Sequence, residues 1–428
     1  MKSITVAIHT LGCKVNQCET DALLTRLKET GYSVCDFHSK ADIYIINTCT
    51  VTHTGDKKSL QMIRRARRQN PEAFVAVCGC MARSQVDSAD KINIAGADFI
   101  FDTRKPEELL AKLKAIFPGQ YFSHTPEITD NLKERTRAFI KIQDGCDRFC
   151  SYCIVPYVRG QLTSRSPTEI LAEAQAIAKR GIQEIVLTGI QVAAYGYDTG
   201  NGYISLPGLI RSLAYIPKRL RLSSIEPMAV TEDFLLATEE IPTLCDHFHL
   251  SLQSGSDKIL SRMNRRYTQA DYAKVVNKLR SIRPTMALTT DIIVGFPGET
   301  EVDFQDTLKF IKEIGFAQIH IFEYSPRQGT PAADFPDQVP SQIKTSRGKE
   351  MRALATELQH QFLSAQIGTV ASVLFETKNK NTSKETWQGH STNYSTVQVQ
   401  GTNLANTIHD VRITGTAENT LIGELVAT

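Results

Sequence analysis

The sequence contains no long hydrophobic run, has little net charge and is poor in proline. No stretch approaches the ~20 apolar residues that a membrane-spanning helix needs. The first residues lead directly into a predicted strand, so we expect no targeting segment, no membrane partner and a cytoplasmic protein. A hydrophobic content of 41% with only 16 prolines excludes an intrinsically disordered chain. The net charge of +3 is too small to indicate nucleic-acid binding unless cations cluster locally.

Ten cysteines stand out in this composition. In a small secreted chain they would suggest disulfides, but in a large intracellular protein they indicate metal or redox chemistry. A chain of 428 residues also exceeds the usual size of one compact domain. We therefore expect two or three domains, with cysteine-based chemistry in at least one of them.

The first region, residues 1–116, alternates apolar strands with helical segments, which predicts a doubly wound parallel α/β domain. A cysteine follows each of three strands, and these form the sheet-edge triad: Cys13, Cys49 and Cys80. Because parallel strands end at one shared edge, we expect these cysteines to meet there and bind a metal cluster. The alternative is three small buried side chains. Cys78 is assigned to the strand interior, and Gly79 turns the chain so that Cys80 is the ligand.

A second set of cysteines follows the apolar run at 139–142, with three and then two residues between them. These form the loop triad: Cys146, Cys150 and Cys153. A cubane cluster has four irons and usually four thiolate ligands, so three cysteines leave one iron open to a small molecule. A zinc site needs a fourth cysteine or histidine nearby, and His124 and His247 are distant in sequence. We predict an iron–sulfur loop, with a zinc knuckle or buried cysteines as the alternative.

Residues 117–135 are rich in turn formers and are interpreted as a linker. From 135 to 345, six strand–helix units predict an incomplete (β/α)6 barrel, whose chemistry lies at the C-terminal ends of the strands. Polar residues at those ends are the candidate binding residues: Thr188, Gly189, Gln191, Glu226, Gln253 and Ser254. Each is weak evidence alone, because such residues often only form turns or cap helices. Glu226 is either a partner for an ammonium group or a solvated charge.

The last region, residues 366–428, consists of short alternating strands, which predict a small all-β barrel of a kind that often binds RNA. Lys378 and Lys380 lie on its first hairpin as candidate RNA contacts. A denser set of cations, the helix cations, lies on one predicted helix beside Cys49: Lys57, Lys58, Arg64, Arg65, Arg67 and Arg68. Their density favours contacts with phosphates. A solvated surface is the alternative for both groups.

The loop that begins at Cys146 reads Cys-Asp-Arg-Phe-Cys-Ser-Tyr-Cys-Ile-Val-Pro-Tyr-Val-Arg-Gly and resembles the signature of radical S-adenosylmethionine (SAM) enzymes. The strand-end loops behind it, including Gly-Phe-Pro-Gly-Glu-Thr at 295–300, resemble the radical SAM core in their order. With the N-terminal cysteine domain and a terminal barrel of the TRAM type, the whole chain resembles the radical SAM methylthiotransferases. The motifs at 10–17, 47–52 and 223–227 resemble the branch that acts on threonylcarbamoyladenosine. Gln191 departs from the asparagine expected at its position.

The resemblance implies cofactors, partners and a reaction. The loop triad would hold a [4Fe–4S] cluster that cleaves SAM reductively. The sheet-edge triad would hold a second cluster that carries sulfur, and the strand-end residues would bind SAM. The implied product carries a methylthio group on carbon 2 of N6-threonylcarbamoyladenosine, the nucleoside 3′ of a tRNA anticodon. The implied reaction consumes two molecules of SAM per product. That carbon bears a hydrogen that no general base removes at neutral pH, so a radical cofactor is needed. An electron donor of the flavodoxin or ferredoxin type and a sulfur source are also implied.

Some assignments stay open at this point. Arg159 and Arg165 are interpreted as contacts to substrate or SAM, with a surface role as the alternative. Sister branches of the family act on isopentenyladenosine in tRNA or on an aspartate of a ribosomal protein. A different class, an iron–sulfur electron carrier or RNA-binding protein without turnover, is disfavoured by the polar strand-end loops, because an electron carrier needs no SAM pocket.

Overall fold

The computed structural model describes residues 4–86, 94, 96–118, 136–200, 204–379 and 385–426. The chain divides into two compact units. Unit 1 consists of the described parts of Met1–Thr129 together with Gly145–Gln161 and Ser325–Ala333. Unit 2 consists of the described parts of Asp130–Asp144, Leu162–Tyr324 and Asp334–Thr428. No helix in the described ranges is long and apolar enough to cross a membrane.

Unit 1 contains a five-stranded parallel sheet with helices around it. Its strands are β1 (Thr5–Thr10), β2 (Ser33–Cys35), β3 (Ile43–Thr48), β4 (Phe74–Gly79) and β5 (Phe99–Ile100), in the order β2-β1-β3-β4-β5. Its helices are α1 (Lys14–Glu29), α2 (His53–Gln69), α3 (Cys80–Val86), α4 (Pro106–Ile116) and α5 (Val155–Arg159). Along β3, Tyr44 and Ile46 pack into one core while Ile43 and Ile45 pack into another. Both faces of the sheet are therefore covered, as a parallel sheet requires, and the doubly wound prediction is confirmed.

Unit 2 contains six parallel strands in two sheets, β10-β9-β6 and β11-β12-β13, beside a short antiparallel pair, β7 and β8. In chain order the strands are β6 (Arg137–Lys141), β7 (Gln143–Asp144), β8 (Thr163–Ser164), β9 (Glu184–Thr188), β10 (Arg219–Leu222), β11 (His247–His249), β12 (Ala287–Val294) and β13 (Gln318–Glu323). Single parallel bridges, Leu220 to Leu244 and Ile225 to Leu250, continue the pairing from one sheet to the other. The result is the incomplete α/β barrel that the sequence predicts.

Helices cover the outside of these strands. In chain order they are α6 (Pro167–Lys179), α7 (Leu206–Leu213), α8 (Glu232–Glu240), α9 (Asp257–Arg262), α10 (Gln269–Ile282), α11 (Glu301–Ile314) and α12 (Ser341–Ser364). Helix α10 begins with a capping box formed by Thr268 and Asp271, and α11 with one formed by Thr300 and Asp303. A capping box satisfies two backbone N–H groups that the first turn leaves without partners, so these helix starts are encoded locally.

The C-terminal part of unit 2 is a closed five-stranded barrel, which confirms the predicted small all-β barrel. Its strands are β14 (Val370–Asn379), β15 (Thr386–Ser391), β16 (Thr396–Gln400), β17 (Ile408–Ala417) and β18 (Thr420–Leu425), in the order β14-β15-β16-β18-β17. Alternate side chains fill its interior, including Val373, Phe375 and Trp387. Each of these five described strands pairs with a neighbour on both sides, so the closed barrel avoids exposed sheet edges among them.

A buried charge cluster lies at the start of β9. The Glu184 side chain is fully buried and accepts hydrogen bonds from Arg221, at 2.8 Å, and from Arg137, at 2.5 Å. Arg137 also binds Glu376 of the small barrel at 2.7 Å, and Arg219 donates to the His390 carbonyl at 2.9 Å. Burial raises the pKa of Glu184, but the arginines outweigh it and hold the pKa at about 2. The cluster therefore connects the barrel strands to the small barrel through charge-assisted hydrogen bonds.

Replacing Glu184 by glutamine is expected to destabilise unit 2 by about 3–5 kcal/mol, because it leaves buried guanidinium groups without their carboxylate. The single tryptophan, Trp387, lies in the small barrel and reports guanidinium-induced unfolding by its fluorescence. Glu232→Gln is the control, because Glu232 forms an exposed ion pair with Lys278 whose loss should change little. An unchanged midpoint for Glu184→Gln would contradict the stabilising role. The contribution of the Glu184 carboxylate to the free energy of unfolding is complete above about pH 4.5 and is lost as the pH falls toward 2.

Candidate functional site

The sheet-edge triad comes from three loops that converge at the C-terminal edge of the sheet in unit 1. Cys13 directly precedes α1, Cys49 follows β3, and Cys80 is the first residue of α3. Gly12 has φ of +103° and passes so close to Cys49 that a Cβ there would lie 3.1 Å from the Cys49 Cβ. Gly79 has φ of +87° and turns the chain directly before Cys80. Only glycine adopts such conformations without strain, so both glycines permit the convergence.

Asn16 on α1 holds two of these loops together. Its Nδ2 donates hydrogen bonds to the Leu11 carbonyl at 2.7 Å and the Thr48 carbonyl at 3.0 Å. Its Oδ1 lies 3.9 Å from the Cys13 Sγ and 4.0 Å from the Cys80 Sγ. One buried amide therefore ties two strand ends together and lies against two of the three sulfurs.

Arg159, the last residue of α5, lies beside Asn16 and the Cys80 sulfur. Its guanidinium donates to Asn16 Oδ1 at 2.6 Å and to Glu19 Oε1 at 3.0 Å, and it hydrogen-bonds the Cys80 side chain. Glu19 in turn pairs with Arg83 at 3.3 Å. The Arg159 side chain is 1% exposed, so the surface role is wrong. Burying a charge costs free energy of folding unless the charge is paired, so the pairing with Glu19 stabilises Arg159 and Arg83 in this cluster.

The thiols of the triad influence one another. Burial raises the pKa of both Cys49 and Cys80, and the neighbouring Cys13 raises both further. Arg159 acts in the opposite direction on both. Three mutually repelling sulfurs beside one cation suit a metal centre, where thiolates are the ligands and protons leave on binding. Cys78 differs, because it is buried in the apolar core and burial raises its pKa well above the usual range.

The loop triad lies on a segment of unit 1 that is closed at its ends. The Cys146 N–H donates to the Gly160 carbonyl at 3.1 Å. A Cβ on Gly145 would lie 1.8 Å from the Gln161 carbonyl oxygen, so only glycine fits there. Phe149 has φ of +45°, which is unusual for a bulky residue and is found mainly where surrounding structure imposes it.

Within this segment the cysteines differ in exposure. Cys150 is buried, whereas Cys146 and Cys153 are half-buried, and the Cys153 N–H donates to the Cys150 carbonyl at 2.9 Å. The Phe149 and Tyr157 rings pack edge to face at 5.5 Å and are both about half exposed. The backbone thus presents three cysteines from a shaped loop, which is what a cluster ligand set requires.

The strand-end residues predicted to bind SAM lie in unit 2. Thr188 ends β9 and is buried. A Cβ on Gly189 would lie 3.0 Å from the Gln143 carbonyl oxygen, and the Gln191 N–H donates to Gln143 Oε1 at 2.7 Å. Gln143 therefore shapes this loop from β7, a contact that the sequence alone did not indicate.

Glu226, Gln253 and Ser254 complete the predicted set. The Glu226 carboxylate binds Arg265 at 3.0 Å, so its negative charge is already paired within unit 2. Gln253 has φ of +71°, and its N–H donates to the Asp291 carbonyl at 2.8 Å. Ser254 is buried, and its hydroxyl accepts from the Ser256 N–H at 3.2 Å. These contacts define the shapes of the loops, and SAM binding by the six residues stays a prediction.

The helix cations lie on α2, and the structure divides them. Arg67 donates to the Gly96 and Ala73 carbonyls at 2.8 and 2.7 Å and pairs with Asp98, so it anchors the domain. Arg65 is half-buried. Four cations are exposed along the helix: Lys57, Lys58, Arg64 and Arg68.

Of the two predicted RNA contacts on the small barrel, the structure describes one. Lys378 is half exposed and pairs with Glu385 at 2.8 Å. Lys380 lies outside the described residues. Arg165, the other arginine considered beyond the loop triad, binds the Lys141 carbonyl and Glu173 within unit 2.

Comparison with known proteins agrees with this geometry. The family model of the radical SAM superfamily matches residues 140–311, and that of the uncharacterized protein family UPF0004 matches residues 5–101. Threonylcarbamoyladenosine tRNA methylthiotransferase MtaB of Bacillus subtilis is 41% identical over 415 residues, covering 93% of this chain and 91% of that protein. The chain belongs to the radical SAM methylthiotransferase family. It is a transferase of the radical SAM class, and the family implies a [4Fe–4S] cluster and SAM.

Other methylthiotransferases match over a similar extent. MtaB of Chlamydia pneumoniae is 39% identical, covering 97% of both chains. A tRNA-2-methylthio-N(6)-dimethylallyladenosine synthase of Acetivibrio thermocellus is 36% identical, covering 88% of this chain and 82% of that one. The radical SAM methyltransferase TsrM of Kitasatospora setae has the same fold, with a TM-score of 0.57 over 78% of this chain and 77% of TsrM, at 16% identity.

Several residues at the site were missed by reasoning from the sequence. They surround the sheet-edge triad: Asn16, Glu19, Arg83 and the reassigned Arg159. Asn16 and Glu19 lie three residues apart on α1, which places both on one face of a helix that begins directly after Cys13. That spacing was a usable signal for the first two. The contact of Arg159 with α1 spans more than 140 positions and left no local signal.

Proposed function

We propose that this protein converts N6-threonylcarbamoyladenosine, at the position 3′ of a tRNA anticodon, to its 2-methylthio derivative. The proposal includes two SAM per product, a [4Fe–4S] cluster on the loop triad and a second cluster on the sheet-edge triad. It also includes SAM binding by the six strand-end residues, an electron donor of the flavodoxin or ferredoxin type, and a separate sulfur source.

The observation that supports this proposal most strongly is the convergence of Cys13, Cys49 and Cys80 on Asn16 and Arg159. Cysteines that were only buried core residues would not need to come together from three loops. They would also not need two glycines with positive φ and a buried arginine beside them. A cluster with one open iron does require three thiolates and a shaped surrounding. The similarity to MtaB proteins over most of the chain supports the choice of tRNA substrate.

When bound, the clusters and SAM would supply the one-electron chemistry and the sulfur that modification of carbon 2 of the base requires. The protein's own residues hold and tune these groups. Arg159 places a fixed positive charge and a hydrogen bond on the Cys80 sulfur, and Asn16 fixes the distance between two ligand loops. Hydrogen bonds to ligand sulfurs are among the main controls of a cluster potential.

For the tRNA itself, we propose phosphate contacts from the four exposed helix cations on α2 and from Lys378. Lysine and arginine at a surface attract the RNA backbone without regard to sequence, so this binding should weaken steeply with salt. Charge-removing variants of Lys57 and Lys58 should reduce tRNA affinity at low salt, whereas Arg67 variants should mainly reduce the stability of unit 1.

Replacing Arg159 by methionine is expected to make the potential of the sheet-edge cluster more negative by an amount on the order of 50 mV, since one charge-assisted hydrogen bond is lost. The measurement is a redox titration followed by electron paramagnetic resonance. Arg159→Lys should retain most of the potential because it keeps the charge, and Arg165→Met should retain all of it. A potential that does not move in Arg159→Met rules out the tuning role.

Iron content tests the two clusters. We expect about eight irons per chain after anaerobic reconstitution, because each triad holds one four-iron cluster. Replacing all three cysteines of the loop triad by alanine should leave about four. A triple variant that keeps its full iron content would show that the loop triad does not hold a cluster.

Reductive cleavage of SAM separates an enzyme from an iron–sulfur protein without turnover. The reconstituted protein should release 5′-deoxyadenosine from SAM in the presence of a strong reductant, and the triple variant should not. Failure of the wild-type protein to do so would favour the electron-carrier alternative.

A further inference from the structure

We propose that His249, Asp291 and His320 form a binding site for one divalent transition-metal ion in unit 2, sharing no residue with either cysteine triad. The three residues lie on adjacent parallel strands, β11, β12 and β13. One nitrogen of each histidine and one oxygen of the aspartate all lie within 4.8 Å of one another. Two imidazoles and one carboxylate are a ligand set that zinc and iron(II) accept in proteins.

The strand register explains why the three side chains meet. The Cα of His249 pairs with that of Thr289, and the Cα of Asp291 pairs with that of His320. Side chains alternate between the two faces of a strand. The residues next to them in sequence point to the other face and belong to the hydrophobic core: Phe248, Leu288, Ile292 and Ile319. His249, Asp291 and His320 therefore share the opposite face of the sheet. On that face His249 is nearly buried, Asp291 is half-buried and His320 is exposed.

The separation of the first two ligand atoms fits coordination. The His249 Nε2 lies 3.1 Å from the Asp291 Oδ2. Two atoms that each lie about 2.1 Å from one ion are about 3.0 Å apart at a right angle and about 3.4 Å apart at the tetrahedral angle. His320 stacks on His249 at a ring-centroid distance of 5.8 Å, and one of its nitrogens lies within 4.8 Å of the other two ligand atoms.

Thr289 orients His249 for this role. Its hydroxyl lies 3.0 Å from the His249 Nδ1 and 3.1 Å from the His247 Nε2. In the tautomer whose Nδ1–H donates to this hydroxyl, the Nε2 lone pair faces the carboxylate of Asp291, and a cation between the two atoms would satisfy both. Metal-binding histidines usually donate their other N–H in this way, which fixes the tautomer and the ring orientation.

Asp291 is also an unusual residue type for its position in a strand. Aspartate is depleted inside strands, yet Asp291 occupies the middle of the eight-residue strand β12. Such local conflicts concentrate at functional sites. The alternative is a hydrogen bond between His249 and Asp291 with no ion, and that alternative predicts no metal affinity. With three protein ligands, the ion would keep an open position for water or for an anionic oxygen.

The test is equilibrium dialysis of the reconstituted holoenzyme against Zn²⁺, with zinc measured by mass spectrometry. The wild-type protein should bind one more zinc per chain than His320→Ala. Because His320 is exposed on an edge strand, that variant should fold normally, which an unchanged unfolding midpoint of Trp387 fluorescence verifies. Asp291→Asn keeps a hydrogen-bond acceptor for His249 but removes the charge, and it should also lose this zinc.

Two further variants sharpen the result. Thr289→Val should bind zinc about 10–100-fold more weakly, as loss of an orienting group does at metal sites. His360→Ala, an exposed histidine on α12, should bind as the wild type does. Because every variant keeps both cysteine triads, zinc bound at the cysteines cancels in the comparison. Equal zinc content in the wild type and in either His320→Ala or Asp291→Asn would overturn the proposal, whatever the methylthiotransferase activity.

Discussion

Replacing Cys49 by alanine is expected to reduce methylthiolation of tRNA to background while reductive cleavage of SAM continues at nearly the wild-type rate. The two activities separate because Cys49 belongs to the sheet-edge triad, whereas the loop triad keeps all three of its cysteines. The experiment measures 5′-deoxyadenosine and methylthio nucleosides in the same anaerobic reaction. A variant that loses both products equally, with its iron content intact, would contradict the division of labour between the triads.

Cys78 supplies the matched control for this experiment. Cys78 lies in the same part of unit 1 and only two residues before Cys80, but its side chain is buried among apolar residues on β4. Cys78→Ala should keep both products, with a modest loss of stability from the smaller side chain. If Cys78→Ala lost the second cluster while Cys80→Ala kept it, the assignment of the ligand would have to be reversed.

The second large effect concerns the substituent on the target adenosine. The threonylcarbamoyl group carries a carboxylate, whereas the isopentenyl group is a hydrocarbon. A pocket that provides cations or hydrogen-bond donors for the carboxylate leaves those groups unpaired when the hydrocarbon binds. Buried unpaired polar groups cost several kcal/mol, enough to discriminate between substrates by orders of magnitude. We therefore expect tRNA without the threonylcarbamoyl group to be unmodified, and isopentenylated tRNA to be a poor substrate.

This expectation is tested by offering the reconstituted protein each tRNA in turn. The same protein preparation should show equal SAM-cleaving ability in each reaction, so that differences in product reflect substrate choice. Preferential modification of isopentenyladenosine would assign the protein to the sister branch, to which two of its relatives at 36% identity belong by name.

Much of the fold could be predicted because its signals are local. Helices α10 and α11 begin at Gln269 and Glu301, where Thr268 with Asp271 and Thr300 with Asp303 form capping boxes within four residues of sequence. The apolar run at the start of β3, Ile43 to Ile46, marks a strand buried on both faces, as a parallel sheet between helix layers provides. The short antiparallel pair of β7 and β8 was missed, because two-residue strands carry no periodicity.

The site could be predicted only in part, because its polar contacts are made between distant positions. The cysteines were identifiable from spacing and from their positions after strands. Arg159, by contrast, was assigned to substrate, SAM or the surface, and the structure buries it between Asn16 and Glu19. Arg67 was predicted to contact RNA, and its hydrogen bonds to two backbone carbonyls of unit 1 could not be inferred from the sequence. The His249, Asp291 and His320 group depends on the register of three strands, which sequence patterns do not give.

The most direct measurement of the central proposal is mass spectrometry of tRNA nucleosides from cells with and without this gene. The proposed activity predicts that 2-methylthio-N6-threonylcarbamoyladenosine is present with the gene and absent without it. Its unmethylthiolated precursor should accumulate in the deleted strain, and the methylthio derivative of isopentenyladenosine should be unchanged. A strain that loses the isopentenyl derivative instead, or that loses neither nucleoside, would contradict the proposal.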